Sequence, residues 1–115
     1  MGKISSLVLV GAMLFASEVP ALEVRGARSC GQWVQTHNGP LDMSMVATEA
    51  WLLGYLSGKA AESRLDFIVG TDNESIMLWM NNYCHANPLK HIDDGADILA
   101  IELAIQKGLR APARK

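Results

Sequence analysis

Cysteine and histidine stand side by side at Cys84 and His85, inside the stretch WMNNYCHANPL that runs from residue 79 to 89. Three chemistries use such a pair. A thiolate nucleophile needs a free thiol and, usually, a third group that orients the histidine. A structural zinc site needs about four ligands, and the chain offers two cysteines with His37, His85 and His91 in no recognisable spacing. A disulfide needs only a second cysteine, and Cys30 is the one other in the chain. A nucleophilic Cys84 would strand Cys30 unpaired in an oxidising compartment. The expectation is therefore a Cys30–Cys84 bridge with His85 as a surface bystander, no catalytic residue, no metal and no cofactor.

Other polar clusters carry less. HIDDGAD, residues 91 to 97, is dense in carboxylates (Asp93, Asp94, Asp97), but the spacing of an EF-hand loop is missing and no Glu closes it. Acids there suit the first turns of a helix, where they complement its dipole. There is no His-Glu-x-x-His, no Gly-x-Ser-x-Gly and no glycine loop of the phosphate-cradling kind. NES at 73 to 75 matches a glycosylation sequon, which matters only in a eukaryotic secretory pathway.

The compartment is read from the first residues. Lys3, the apolar run LVLVGAMLFA (7 to 16) and SEVPA with Val19 and Ala21 at the −3 and −1 positions follow the order of a cleavable signal peptide. The apolar run is too short to span a bilayer. Residues 1–21 are thus expected to be removed, leaving a periplasmic protein that begins at Leu22. A single domain of that size is marginal on its hydrophobic core alone. A covalent staple fits an exported chain, and closing a loop of this length stabilises by about 3 to 5 kcal/mol.

The elements that would position these residues are helices. Residues 22–29, with Arg25 and Arg28, read as a flexible arm, and SCGQWVQTH as a short helix ended by NGP. Asp42 or Ser44 can cap a long helix to about Ser63. Its expected apolar face is Val46, Ala50, Leu53 and Ser57, with Met45, Leu52 and Leu56 beside it, and Gly54, Ser57 and Gly58 form a small-residue strip suited to close packing inside the domain. LDFIVG reads as a buried connector. Thr71 and Glu74 fit a capping box for a helix with Ile76, Met80 and Tyr83 or Cys84 on one face, Leu78 and Trp79 flanking. HANP stops it. Asn87 and Pro88 then open a last helix whose stripe is Leu89, Ile92, Ala96, Leu99 and Leu103, ending near Gly108. The expectation is a small all-α single domain of about four helices, spanning 30–107, with a basic, flexible tail at 108–115.

Charge is uneven. Between Cys30 and Lys107 ten carboxylates face four cations, a net of −6. That argues against nucleic acid, which wants clustered bases on a folded face, and no later segment is apolar enough for stable membrane insertion. Protonating the acids and charging His37, His85 and His91 would carry the same region to +7. Paired carboxylates would lose their native interactions over the same range, leaving a compact, loosened state with apolar surface exposed.

Taken together, Cys30 and Trp33, the helix WLLGYLSGK with Trp51, Leu52, Gly54, Tyr55, Ser57 and Gly58, and Tyr83-Cys84 with Asn87-Pro88 resemble the HdeA/HdeB family of small periplasmic proteins, over about residues 29 to 104. The resemblance implies an all-helical domain with Cys30 joined to Cys84. It also implies an acid-stress chaperone, folded near neutral pH with room for a homodimer, that loosens in acid and holds unfolded client proteins. The surface expected to do so is Trp51, Leu52, Leu53, Tyr55 and Leu56 with Ile76, Met77, Trp79 and Met80, all of which should be core at neutral pH. The segment DNESIMLWMNNYC departs from the characterised chaperones. A second reading, from a different class, is a periplasmic immunity protein that blocks a cell-wall-degrading toxin of a type VI secretion system.

Overall fold

A computed structural model describes Gly2 and residues 23–110. The expected signal peptide and cleavage site, and the last five residues of the basic tail, lie outside the described residues. Four helices follow one another: α1 (Cys30–His37), α2 (Met43–Ser63), α3 (Asn73–Ala86) and α4 (Ile92–Gln106). Among the described residues there is no strand, only an isolated antiparallel bridge between Ser29 and His91. The fold is all-α.

Each helix start is made by a polar side chain. Ser29 and Gln32 form a reciprocal capping box on α1. Asp42 accepts the Met45 N–H at 2.8 Å to open α2, and Asp72 accepts the Ser75 N–H at 2.6 Å to open α3. The cap of α3 is thus Asp72, not the expected Thr71–Glu74 pair. At α4, Asp94 accepts the His91 N–H at 3.0 Å, so this helix begins four residues later than Asn87–Pro88 would have it. Asn87 instead closes α3, where its N–H and its amide both donate to Tyr83 O. Leu89 consequently drops out of the apolar stripe and is 93 % exposed, while Ile92, Ala96, Leu99 and Leu103 are buried as expected.

The helices contact in the cyclic order α1–α2–α4–α3. Cys30, Trp33, Leu52, Leu56, Ile76, Met80, Cys84 and Ile92 are completely buried between them, joined by Phe67 from the connector. On α2 the buried line is Thr48, Leu52 and Leu56; Val46 and Ala50 face outward, and so do Gly54, Ser57 and Gly58, with open space around both glycines. Among the described residues, the small-residue strip therefore packs against nothing. The close approach occurs elsewhere, at Gly95 of α4. A Cβ there would sit 2.7 Å from Tyr83 Cδ1 and 2.9 Å from Met80 Sδ, so α3 and α4 meet at a distance only glycine permits.

The arm expected to be loose is tied down where it is described. Arg25 O accepts the Trp51 indole N–H at 3.0 Å, Arg28 O accepts from Ile92 N at 3.0 Å, and Cys30 N donates to Lys90 O at 2.8 Å. Gly26, at φ +83°, lies so close to Trp51 that a Cβ would be 2.7 Å from its Nε1. At the other end Gly108 (φ +64°) turns the chain out of α4, and Leu109 N returns to Ala104 O at 2.9 Å. Lys107 Nζ donates to Phe67 O and to Thr71 Oγ1, pinning the connector between α2 and α3.

Candidate functional site

Cys30 and Cys84 are disulfide-bonded with their Cα atoms 4.7 Å apart, joining the first turn of α1 to the last turn of α3, and neither thiol is free. His85 is exposed beside the bridge. Among the described residues no group of three or more His, Cys, Asp or Glu is placed to hold a metal ion, and no helix is long and apolar enough to cross a membrane.

The nine residues expected to hold clients divide by depth. Leu52, Leu56, Ile76 and Met80 are completely buried, and Trp51, Leu53, Tyr55, Met77 and Trp79 are half-buried around the same core. The structure brings the two groups into one cluster, with none of these nine side chains fully exposed in the folded state.

What locks them is a pattern repeated three times. Each of the three tryptophans stacks on an aromatic ring four residues later in its own helix: Trp33 on His37 (centroids 4.0 Å apart), Trp51 on Tyr55 (5.0 Å) and Trp79 on Tyr83 (5.4 Å). Four-residue spacing puts the two rings on one helix face. Each pair is then tied to a carboxylate of another helix. His37 Nε2 meets Glu49 of α2 at 3.2 Å. Tyr55 OH donates to Asp97 of α4 at 2.8 Å. Trp79 Nε1 donates to Glu102 of α4 at 3.1 Å. Asp97 also pairs with Lys59 at 2.9 Å. The sequence carries this pattern openly as WVQTH, WLLGY and WMNNY; the spacing of the aromatic partners was the signal, whereas the reading by apolar stripes passed over it.

The electrostatics follow from these contacts. Burial, and then the hydrogen bond to Asp97, push the Tyr55 hydroxyl well above its ordinary value. Burial, with Asp94 and Asp93 nearby, raises Tyr83 as well. Asp72 is held below the usual carboxylate range by the Ser75 backbone N–H it accepts. At His37 both partners are acceptors: Trp33 O lies 2.7 Å from Nδ1 and Glu49 lies against Nε2. In the core the Trp33 indole N–H is buried without a hydrogen-bond partner among the described residues. No family model, curated protein or solved structure matches this chain.

Proposed function

We propose that the protein is a periplasmic acid-stress chaperone that loosens at low pH and holds unfolded proteins on the apolar faces of α2 and α3. The observation that carries the reading is the tie from every tryptophan-headed aromatic pair to a carboxylate on a neighbouring helix. Two of the four helices also begin at an aspartate cap, and at α4 Asp94 accepts the N–H of the capping residue His91. A carboxylate that accepts a hydrogen bond in the fold loses charge, and much of that bond, when protonated.

Asp72 gives the sign. Its folded pKa lies below the unfolded value of 3.8, so its contribution to stability is complete above that value and disappears as pH falls through the folded one. The region from Cys30 to Lys107 meanwhile goes from net negative to net positive, which adds repulsion. The disulfide is indifferent to pH and keeps the loosened chain compact. Trp51, Leu52, Tyr55, Trp79 and Met80 then become available, each large apolar side chain contributing roughly 1.5 to 3 kcal/mol when buried against a client.

The test is to follow near-UV CD and ANS fluorescence from about pH 7 to about pH 2, where loss of tertiary signal with gain of ANS binding marks an opened state. In parallel, an acid-denatured client is incubated with the protein at low and neutral pH. Protection of the client only in acid is expected. Asp97→Asn combined with Glu102→Gln should move the opening to higher pH, because two of the ties are weakened before titration begins. A protein that keeps its tertiary signal throughout and leaves the client to aggregate is a rigid binder, and the immunity reading replaces this one.

A further inference from the structure

The outer face of α4 is apolar where no helix covers it. Ile98, Ile101 and Ile105 are 47, 61 and 72 % exposed, and their spacing of three and four residues lines them up as a ridge along the helix. Beside the ridge, between α4 and the C-terminal half of α2, lies a groove of about 350 Å³ floored by Phe67, Ala100 and Ala104, with Ile101 as its lip. This is the lower end of the size range of binding clefts, enough for two apolar side chains rather than a large cofactor.

The charges around this surface are mostly negative. Glu62 and Asp97 stand on the groove side. Glu102 and Asp94 follow on the exposed side and at the N-terminal end of the ridge. The one cation at the groove, Lys59, is already paired with Asp97, and no ion pair involves Glu62, Asp94 or Glu102 among the described residues. Lys107, at the far end, turns inward to Phe67 and Thr71. An apolar ridge and groove framed by unpaired carboxylates complement one kind of partner: a helix with an apolar stripe bordered by Lys and Arg.

We infer that the α2–α4 groove and the isoleucine ridge of α4 bind a cationic amphipathic helix of another protein while the domain is folded. Large apolar side chains of that helix enter over Ala100 and Ala104, and its basic flanks lie against Glu62 and Glu102. The site goes beyond acid holding, because it needs the closed α2–α4 arrangement and charged carboxylates. Its occupancy therefore peaks near neutral pH and falls as the carboxylates protonate.

The probe is a fluorescent Leu/Lys peptide of about fourteen residues with Leu at i, i+3, i+4 and i+7, and a sister peptide carrying Glu in place of Lys. Titrated into the full chain at about pH 7 in low salt, the Lys peptide should bind and the Glu peptide should not. About 0.5 M salt should weaken the binding strongly. Ile101→Asp should weaken it about tenfold or more, as loss of one buried anchor does, and Glu62→Lys should weaken it less. Both side chains are exposed, and near-UV CD verifies that the variants are folded. Equal binding of both peptides, no binding of either, or affinity unchanged in Ile101→Asp would overturn the proposal. So would sedimentation showing that a second copy covers the ridge, or binding that emerges only after residues 111–115 are removed. Failure of client protection in acid leaves this outcome untouched, so the two proposals fail separately.

Discussion

The two long seams of the molecule are held by different physics. Along α1–α3 the contact is covalent and dry: the Cys30–Cys84 bridge lies among fully buried Trp33, Ile76 and Met80. Along α2–α4 the contact is made by Tyr55 and Lys59 converging on a half-exposed Asp97, beside an open groove. The buried side chains of the first seam, Cys30, Trp33, Ile76, Met80 and Cys84, carry no group that acid protonates. The second seam is organised by the charge of a carboxylate. Lowering the pH should therefore not melt this domain evenly. It should release α2 from α4 while α1 and α3 remain stapled, the geometry that the proposed client-holding state would use.

Removing the staple should produce the largest effect. The bridge closes a loop of 54 residues in sequence separation, which corresponds to about 4 kcal/mol in the chain-entropy model. Replacing both cysteines by alanine should lower the stability measured by urea denaturation by about 2 to 5 kcal/mol. It should also erase the contrast between seams, so that acid unfolds all four helices together by far-UV CD. A double variant that keeps near-parental stability, or still opens only between α2 and α4, would show that packing rather than the bridge makes the first seam robust.

Gly95 tests the contact of α4 with α3, which links the two seams. In an ordinary helix interior, alanine is better than glycine by roughly 0.5 to 1 kcal/mol. Here the added methyl would press on the Tyr83 ring and the Met80 sulfur, and overpacking of this kind costs about 1 to 3 kcal/mol. Gly95→Ala is expected to be destabilising by about 1 kcal/mol, lowering the melting temperature by roughly 4 to 8 °C for a domain of this size. The reverse sign would mean that α3 and α4 can move apart without loss.

How far the sequence disclosed this depended on the kind of signal. The all-α class, the bridge and the stripe from Ile92 to Leu103 were legible, because cysteine pairing and α-helical periodicity act locally or by elimination. The face of α2 was misread for a physical reason: its apolar residues nearly encircle the helix, so Val46–Ala50–Leu53 and Thr48–Leu52–Leu56 are equally good stripes until a neighbour chooses. That neighbour is α4, together with the arm that lays Arg25 and Gly26 on Trp51. Pro88 misled in a similar way. It suits the first turn of a helix, yet the hydrogen bonds of Asn87 to Tyr83 and of Lys90 N to Asn87 O turn the chain there and delay α4 to Ile92. The carboxylate ties were hidden because they join residues 12, 23 and 42 positions apart, which no local pattern encodes.

The smallest expected effect probes the second seam from its alkaline side. Tyr55→Phe deletes the hydroxyl that donates to Asp97 and leaves the stacked ring over Trp51 in place. Asp97 keeps Lys59 and access to water, so the loss near neutral pH should be at the low end for a hydrogen bond, about 0.5 kcal/mol. The informative quantity is its pH dependence. Burial and Asp97 raise the Tyr55 hydroxyl above the unfolded value of 10.0, so the folded chain keeps a proton that the unfolded chain gives up. The stabilisation is therefore complete below about pH 10 and shrinks as pH climbs from there towards the folded value. Between about pH 10 and 11, the parent should lose stability more steeply than Tyr55→Phe, and the two curves should converge. Tyr83, also raised, remains in both proteins, so the difference isolates Tyr55. Parallel curves would mean that α2 and α4 are not joined by this bond in solution, and the second seam would then rest on Lys59 and apolar contact alone.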